Sequence, residues 1–208
     1  MTTIIARIKS KPDTAIALLA LVVSFVALVI SYLAYSQPGT VQPFEPTMYG
    51  IIRGYESFPS DHIILPLEWQ NTRGQPVLIK QPELILHEVD DKGQEIGTKY
   101  RFTLAGEFPE ISSSAFREHY ALKSSFIVEA RSIPVKVLLF HYERWWDESG
   151  NLYNFQFKKG QKYNVYLKYQ ADQDQVAEKM LFSMPIFARI EELRVDHSTS
   201  WWDVWYLE

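Results

Sequence analysis

An all-β domain carried behind one membrane-spanning helix is the fold class the sequence predicts, and three observations carry it. Residues Ala15 to Ala34 hold no charge. From about Thr47 onward, apolar and polar residues alternate with a period of two. Between the alternating runs stand short polar turns that contain glycine.

The charge-free run matches the ~20 residues that a helix needs to cross a bilayer core, which places the helix at 13–35. Within it the small residues are ordered. From Ile16 onward they fall only at Ala17, Ala20, Ser24, Ala27, Ser31 and Ala34, in steps of 3, 4, 3, 4 and 3. That is a heptad seam. The other positions of the stretch hold Leu, Val, Ile, Phe or Tyr. Small side chains let two backbones approach and gain packing contacts that lipid does not match. A plain anchor needs only greasy residues, and Ala and Ser are common in membrane helices. Six small residues on one seam nevertheless favour a helix that lies against protein.

Orientation follows from the flanks. Arg7, Lys9 and Lys11 precede the helix, opposed by Asp13, whereas Ser36 to Phe44 carries no charge. The positive-inside rule therefore expects residues 1–12 in the cytoplasm and the large domain outside, with the bacterial inner membrane and periplasm as the setting. A cleaved signal peptide is the rival, with Ala34-Tyr35-Ser36 as a small-residue cleavage site. The apolar run exceeds the ~7–15 residues of a signal h-region, so an uncleaved anchor is expected.

Residues 36–46 (SQPGTVQPFEP) hold three prolines and a glycine and read as a short, stiff linker. The β-domain is expected at 47–196. Ile63, Leu65, Leu67 and Trp69 share one strand face, with Ile64, Pro66, Glu68 and Gln70 on the other. Tyr100, Phe102 and Leu104 alternate in the same way, as do Tyr153, Phe155 and Phe157, and Tyr163, Val165, Leu167 and Tyr169. Strands that bury one face and wet the other belong to antiparallel sheets. Further strands are expected at 77–80, 83–89, 126–129, 135–146 and 180–187. Turns fall at 71–74, 90–93, 147–151 and 158–160, with glycine expected to supply a positive φ. About eight or nine short strands in one domain point to an Ig-like antiparallel β-sandwich in the broad sense. The stretch Leu65–Leu86 (LPLEWQNTRGQPVLIKQPELIL) resembles the opening hairpin of envelope-facing Ig-like domains, which implies fold alone. Ala105 to Ser125 breaks the rhythm, and Ala115 to Leu122 suits one or two helical turns.

Composition excludes several chemistries. Without cysteine there is no disulfide scaffold, thiolate metal site or cysteine nucleophile. With Arg7, Lys9, Lys11 and Asp13 set aside, the outer chain has 18 basic and 24 acidic residues and no basic block, so a nucleic-acid role lacks its footprint. His62, His87, His119, His141 and His197 show no HxH or HxxxH spacing, and His141 with Glu143 makes at most half of a metal site. Asp90/Asp91, Asp147/Glu148 and Glu191/Glu192 are sequence neighbours that point apart, not a pair facing across a cleft. Ser112–Ser114 lie near His119 without a G-x-S-x-G elbow. No catalytic, cofactor-binding or metal residue is assigned.

Aromatic residues make up 14% of the chain, and this excess is the stronger functional clue. Trp145 and Trp146 are consecutive, so one faces outward from a strand. The tail 197–208 holds Trp201, Trp202, Trp205 and Tyr206, and a tail of that composition needs a cover. Four covers fit: a last strand or flap on its own sheet, a partner subunit, the headgroup layer, or a glycan face. Together with the seam, these residues lead to an expected non-catalytic accessory subunit of a larger photosynthetic, respiratory or transport complex. Its partners are other membrane-protein subunits, a hetero-complex being favoured over a homodimer, and the lipid bilayer. The alternative is a membrane-tethered domain that binds a carbohydrate or another envelope ligand.

Overall fold

The computed structural model describes residues 12–54, 60–108, 121–122, 124–143, 154–171, 176–187 and 202–206. The chain opens with helix α1 (Pro12–Ser36), which carries proline at its start and Asp13 in its first turn, where the helix dipole favours an anion. This helix is long and apolar enough to cross a membrane. Its surface is bare: Leu21 is 69% exposed and Phe25 66%.

Among the described residues, the regular structure after the helix is antiparallel β-sheet. The strands are β1 (Val41–Pro43), β2 (Met48–Ile52), β3 (His62–Asn71), β4 (Val77–Val89), β5 (Glu95–Phe108), β6 (Ala121–Leu122), β7 (Ser125–Val128), β8 (Val135–Tyr142), β9 (Lys162–Gln170), β10 (Val176–Pro185) and β11 (Trp202–Tyr206). They form one sheet in the order β10-β9-β4-β5-β8-β3-β2-β11, with β1 added to β3, β6 to β5 and β7 to β4. The fold is therefore all-β with an N-terminal helix, and the sheet curls into a half-barrel.

The curl brings the β9–β10 side over the β1–β2–β3 side. Tyr49 on β2 meets Phe182 on β10 at 5.7 Å between ring centres, and its hydroxyl donates to the Pro185 carbonyl. Trp69 on β3 meets Tyr169 on β9 edge-on at 5.2 Å, and the Tyr169 hydroxyl donates to the Val41 carbonyl. Lys179 Nζ on β10 donates to the Pro43 carbonyl at 2.8 Å. Alternating residues of β2–β5 and β7–β10 close on one core that includes Ile51, Leu65, Trp69, Leu84, Phe102, Phe140, Val165 and Leu167.

Two departures from simple alternation have physical causes. The middle of the sheet is buried on both faces: Ile52, Ile64, Ala105, Phe108, Val137 and Leu139 form a second cluster opposite the main core. Ile64, on the face expected to be wet, is 2% exposed. Strands buried on both sides read as continuous apolar runs, as Ile63-Ile64-Leu65 and Val137-Leu138-Leu139-Phe140 do. The second departure is β4, one strand where two are expected. Its N-terminal part pairs with β7 and its C-terminal part with β5, and the β9 register shifts between Lys80 and Glu83. Gln81, at φ 46, makes the bend beside Pro82, which has no N–H to offer a ladder.

Residues 154–158 also differ from expectation. Phe155 and Phe157 are buried and their neighbours exposed, yet this stretch is not a ladder strand. It is held by side chains of the chain segment that leads into β3, described below. Asp90 fits its expected turn role, since its Oδ1 accepts the backbone N–H of Lys92 at 2.9 Å and of Gln94 at 2.8 Å.

Candidate functional site at the helix–sheet junction

The Pro-rich segment after α1 is tied down almost at once. Thr40 accepts the N–H of Thr72 through its carbonyl at 3.4 Å, and Val41, Gln42 and Pro43 pair with Asn71, Gln70 and Trp69. Only residues 37–40 separate the helix from the sheet. Two glycines make this closeness possible. A Cβ on Gly39 would lie 2.1 Å from Val77 Cγ2 and 2.7 Å from the Gln75 carbonyl oxygen. A Cβ on Gly74 would lie 2.7 Å from the Ala34 carbonyl oxygen and equally close to Tyr35 Cα and the Tyr35 oxygen. The β3–β4 turn thus sits directly on the last turn of the helix, and Arg73 Nη1 donates to Gln37 Oε1 at 3.3 Å.

A buried asparagine organises this end of the domain. Asn71 is 1% exposed. Its Nδ2 donates to the Gln75 carbonyl at 2.8 Å and the Val128 carbonyl at 3.3 Å, while its Oδ1 accepts the Arg73 N–H at 3.1 Å. The β7–β8 loop joins the same platform, with Arg131 N–H donating to the Arg73 carbonyl at 3.2 Å. Arg131 itself takes a positive φ of 51 and projects beside the helix. Between them lies a cleft of about 650 Å³ lined by residues including Leu28, Ser31, Tyr32, Tyr35 and Arg131.

The seam is divided by this arrangement. Ala17, Ala20, Ser24 and Ala27 are exposed along the bare part of the helix. Ser31 and Ala34 line the cleft, and Ala34 is half-buried where its carbonyl meets Gly74. Of the aromatic candidates, Trp145, Trp146 and Trp201 lie outside the described residues, as do Ser112–Ser114, His119, Asp147, Glu148, Glu191, Glu192 and His197. Trp202, Trp205 and Tyr206 belong to β11, whose backbone pairs with β2 from Trp202↔Ile52 to Tyr206↔Met48. At the level of the backbone, this part of the tail is a strand of its own sheet.

Two polar constellations went unread in the sequence. Asp61 is fully buried and accepts from Arg53 Nη1 at 2.6 Å, the Gly54 N–H at 3.0 Å and the Phe157 N–H at 2.7 Å. Arg53 Nη1 also donates to the Phe157 carbonyl at 2.9 Å. Ser60 Oγ accepts the Phe155 N–H at 3.1 Å, and Asp61 N–H donates to the Phe155 carbonyl at 2.8 Å. Burial pushes the Asp61 carboxyl up from its ordinary value, opposed by the Arg53 charge and the two amide donors. These bonds replace a ladder for residues 154–158, and the arrangement is structural.

The other constellation lies on the outer face. Glu95 Oε2 is 2.6 Å from His87 Nδ1, and Glu95 Oε1 accepts from the Tyr166 hydroxyl at 2.6 Å and Asn164 Nδ2 at 3.1 Å. The Tyr166 hydrogen bond, then that of Asn164, holds the Glu95 carboxyl below its ordinary value. A carboxylate depressed on folding stabilises the fold above its unfolded value of ~4.3, and this contribution is lost as pH falls through the lower folded value. Tyr166→Phe is therefore expected to raise the Glu95 titration midpoint, read by carboxyl-carbon NMR. An unmoved midpoint would remove the tyrosine from the account.

Of the half-site pair, His141 meets the His62 ring edge-on with centres 6.3 Å apart, and Glu143 lies 3.4 Å from Arg101. Among the described residues, no group of three or more His, Asp or Glu side chains is placed to hold a metal. Neither the family models nor the curated proteins compared with the chain give a match.

Proposed function

We propose that the protein is a non-catalytic, single-pass accessory subunit of a larger membrane complex. Its helix lies in the bacterial inner membrane and packs against a helix of a different subunit, and its domain stands in the periplasm. One observation carries this reading: the seam from Ala17 to Ala27 is ordered in sequence yet bare in the fold, while the end of the same helix is closely fitted to the sheet. A mere tether has no need of either property. The contact of Gly74 with Ala34 and Tyr35 supports an uncleaved anchor. The Ig-like description of the domain belongs to the same proposal, supported by its antiparallel hairpins and by the two sides of the sheet that pack face to face across one core.

The test is a quadruple variant, Ala20→Leu, Ser24→Leu, Ala27→Leu and Ser31→Leu, which keeps the helix apolar and removes the close approach. The variant is expected to remain in the membrane fraction and to lose co-migration with a larger complex on native gels in mild detergent. Unchanged co-migration would overturn the seam as the contact.

A further inference from the structure

We propose that the cleft between the end of α1 and the β7–β8 loop binds the phosphate headgroup of an anionic phospholipid. This rests on the membrane-spanning reading of α1 and adds a ligand to it. The argument starts from depth. The apolar run of the helix gives way to Ser36-Gln37-Pro38 after Tyr35, and the cleft is lined by Leu28, Ser31, Tyr32 and Tyr35 on the helix side. Its floor is therefore at acyl-chain level and its mouth at the headgroup layer, where tyrosine is at home. Tyr32 and Tyr35 are each 66% exposed beside it.

Charge supplies the second part of the argument. Arg131 lines the cleft, is exposed, and has no ion-pair partner among the described residues. Glu129, two residues earlier in the same loop, makes no ion pair with it and is not part of the lining. Arg73, on the adjoining turn, is exposed, and among the described residues its side chain bonds the neutral Gln37. The two loops are locked together by the bond from Arg131 N–H to the Arg73 carbonyl and by Asn71 below. The guanidinium groups are thus carried on a fixed platform at the membrane end of a domain whose overall charge is negative. An apolar wall below and a guanidinium above match an amphiphile with a phosphate head, since guanidinium pairs with phosphate through two parallel hydrogen bonds.

The full chain in nanodiscs tests this. Incorporation reports on the anchor, and lipid retention by native mass spectrometry reports on the cleft, with phosphatidylglycerol and phosphatidylcholine in equal amounts. Preferential retention of phosphatidylglycerol is expected, reduced about fivefold by Arg131→Gln, from the ~1 kcal/mol that each basic residue contributes near an anionic surface. It is only partly kept by Arg131→Lys, which holds the charge but lacks the two-bond fork. Free inorganic phosphate at millimolar concentration is expected to leave the retention unchanged; displacement would mean a phosphate site and overturn the lipid assignment. Equal retention of the two lipids, or a preference untouched by Arg131→Gln, would overturn the proposal while the anchor stands. Failure of the chain to enter nanodiscs would overturn both.

Discussion

Asp61→Ala is expected to cost about 3–5 kcal/mol of domain stability, the range for breaking a buried ion pair by removing one partner. The carboxylate is fully buried and holds three donors: Arg53, the Gly54 N–H and the Phe157 N–H. Its loss leaves a charge that is only 18% exposed without a partner and leaves two amides unsatisfied. Residues 154–158 have no ladder to fall back on, so Phe155 and Phe157 lose their hold on the core ring cluster with Phe102 and Tyr163. Asp61→Asn keeps a carbonyl oxygen for the amides and is expected to cost less. Urea unfolding of the full chain in detergent, followed by tryptophan fluorescence, measures both. A loss below ~1 kcal/mol for Asp61→Ala would show that water enters and replaces the carboxylate.

Gly74→Ala is expected to loosen the helix–sheet junction while leaving the β-core folded. The added Cβ would meet three backbone atoms at 2.7 Å, and no side-chain rotation relieves a clash with backbone. Overpacking of this kind costs about 1–3 kcal/mol, here located in the junction. The absence of cysteine allows clean spin-labelling. Labels at Leu28→Cys on α1 and Lys99→Cys on β5, both exposed, are expected to give one narrow distance distribution in the parent and a broad or displaced one with Gly74→Ala. An unchanged distribution would mean that the junction does not fix the helix.

Most of the architecture is legible in the residues because period-two alternation and turn glycines are local signals. The face of β9 that carries Tyr163, Val165, Leu167 and Tyr169 is buried as the alternation says. Gly93 and Gly160 take φ +80, the conformation expected of them. Gly74 stands in the same kind of turn for another reason: it has no positive φ, and what it supplies is the missing Cβ against Tyr35. That reason depends on a helix 40 residues away, which no local pattern reveals. Asp61 and Arg53 are hidden likewise, because a lone aspartate before a strand looks like any turn residue until Phe157 is brought beside it. Pairing between strands far apart in sequence also decides that Trp202 to Tyr206 pair with β2. The seam is the opposite case: fully legible along the sequence, and from Ala17 to Ala27 left bare by the described residues.

The short connection between α1 and β1 has a mechanical consequence. The charge-free run of the helix, at ~1.5 Å per residue, spans about 30 Å, close to the thickness of a bilayer core. If α1 spans the membrane as proposed, it stands nearly upright in such a bilayer, and a thinner membrane or a leaning neighbour tilts it. With four residues and two close-packed glycines at the joint, there is no slack to absorb the tilt. The helix then works as a lever: an angle imposed inside the membrane reappears outside it as the direction in which the sheet faces.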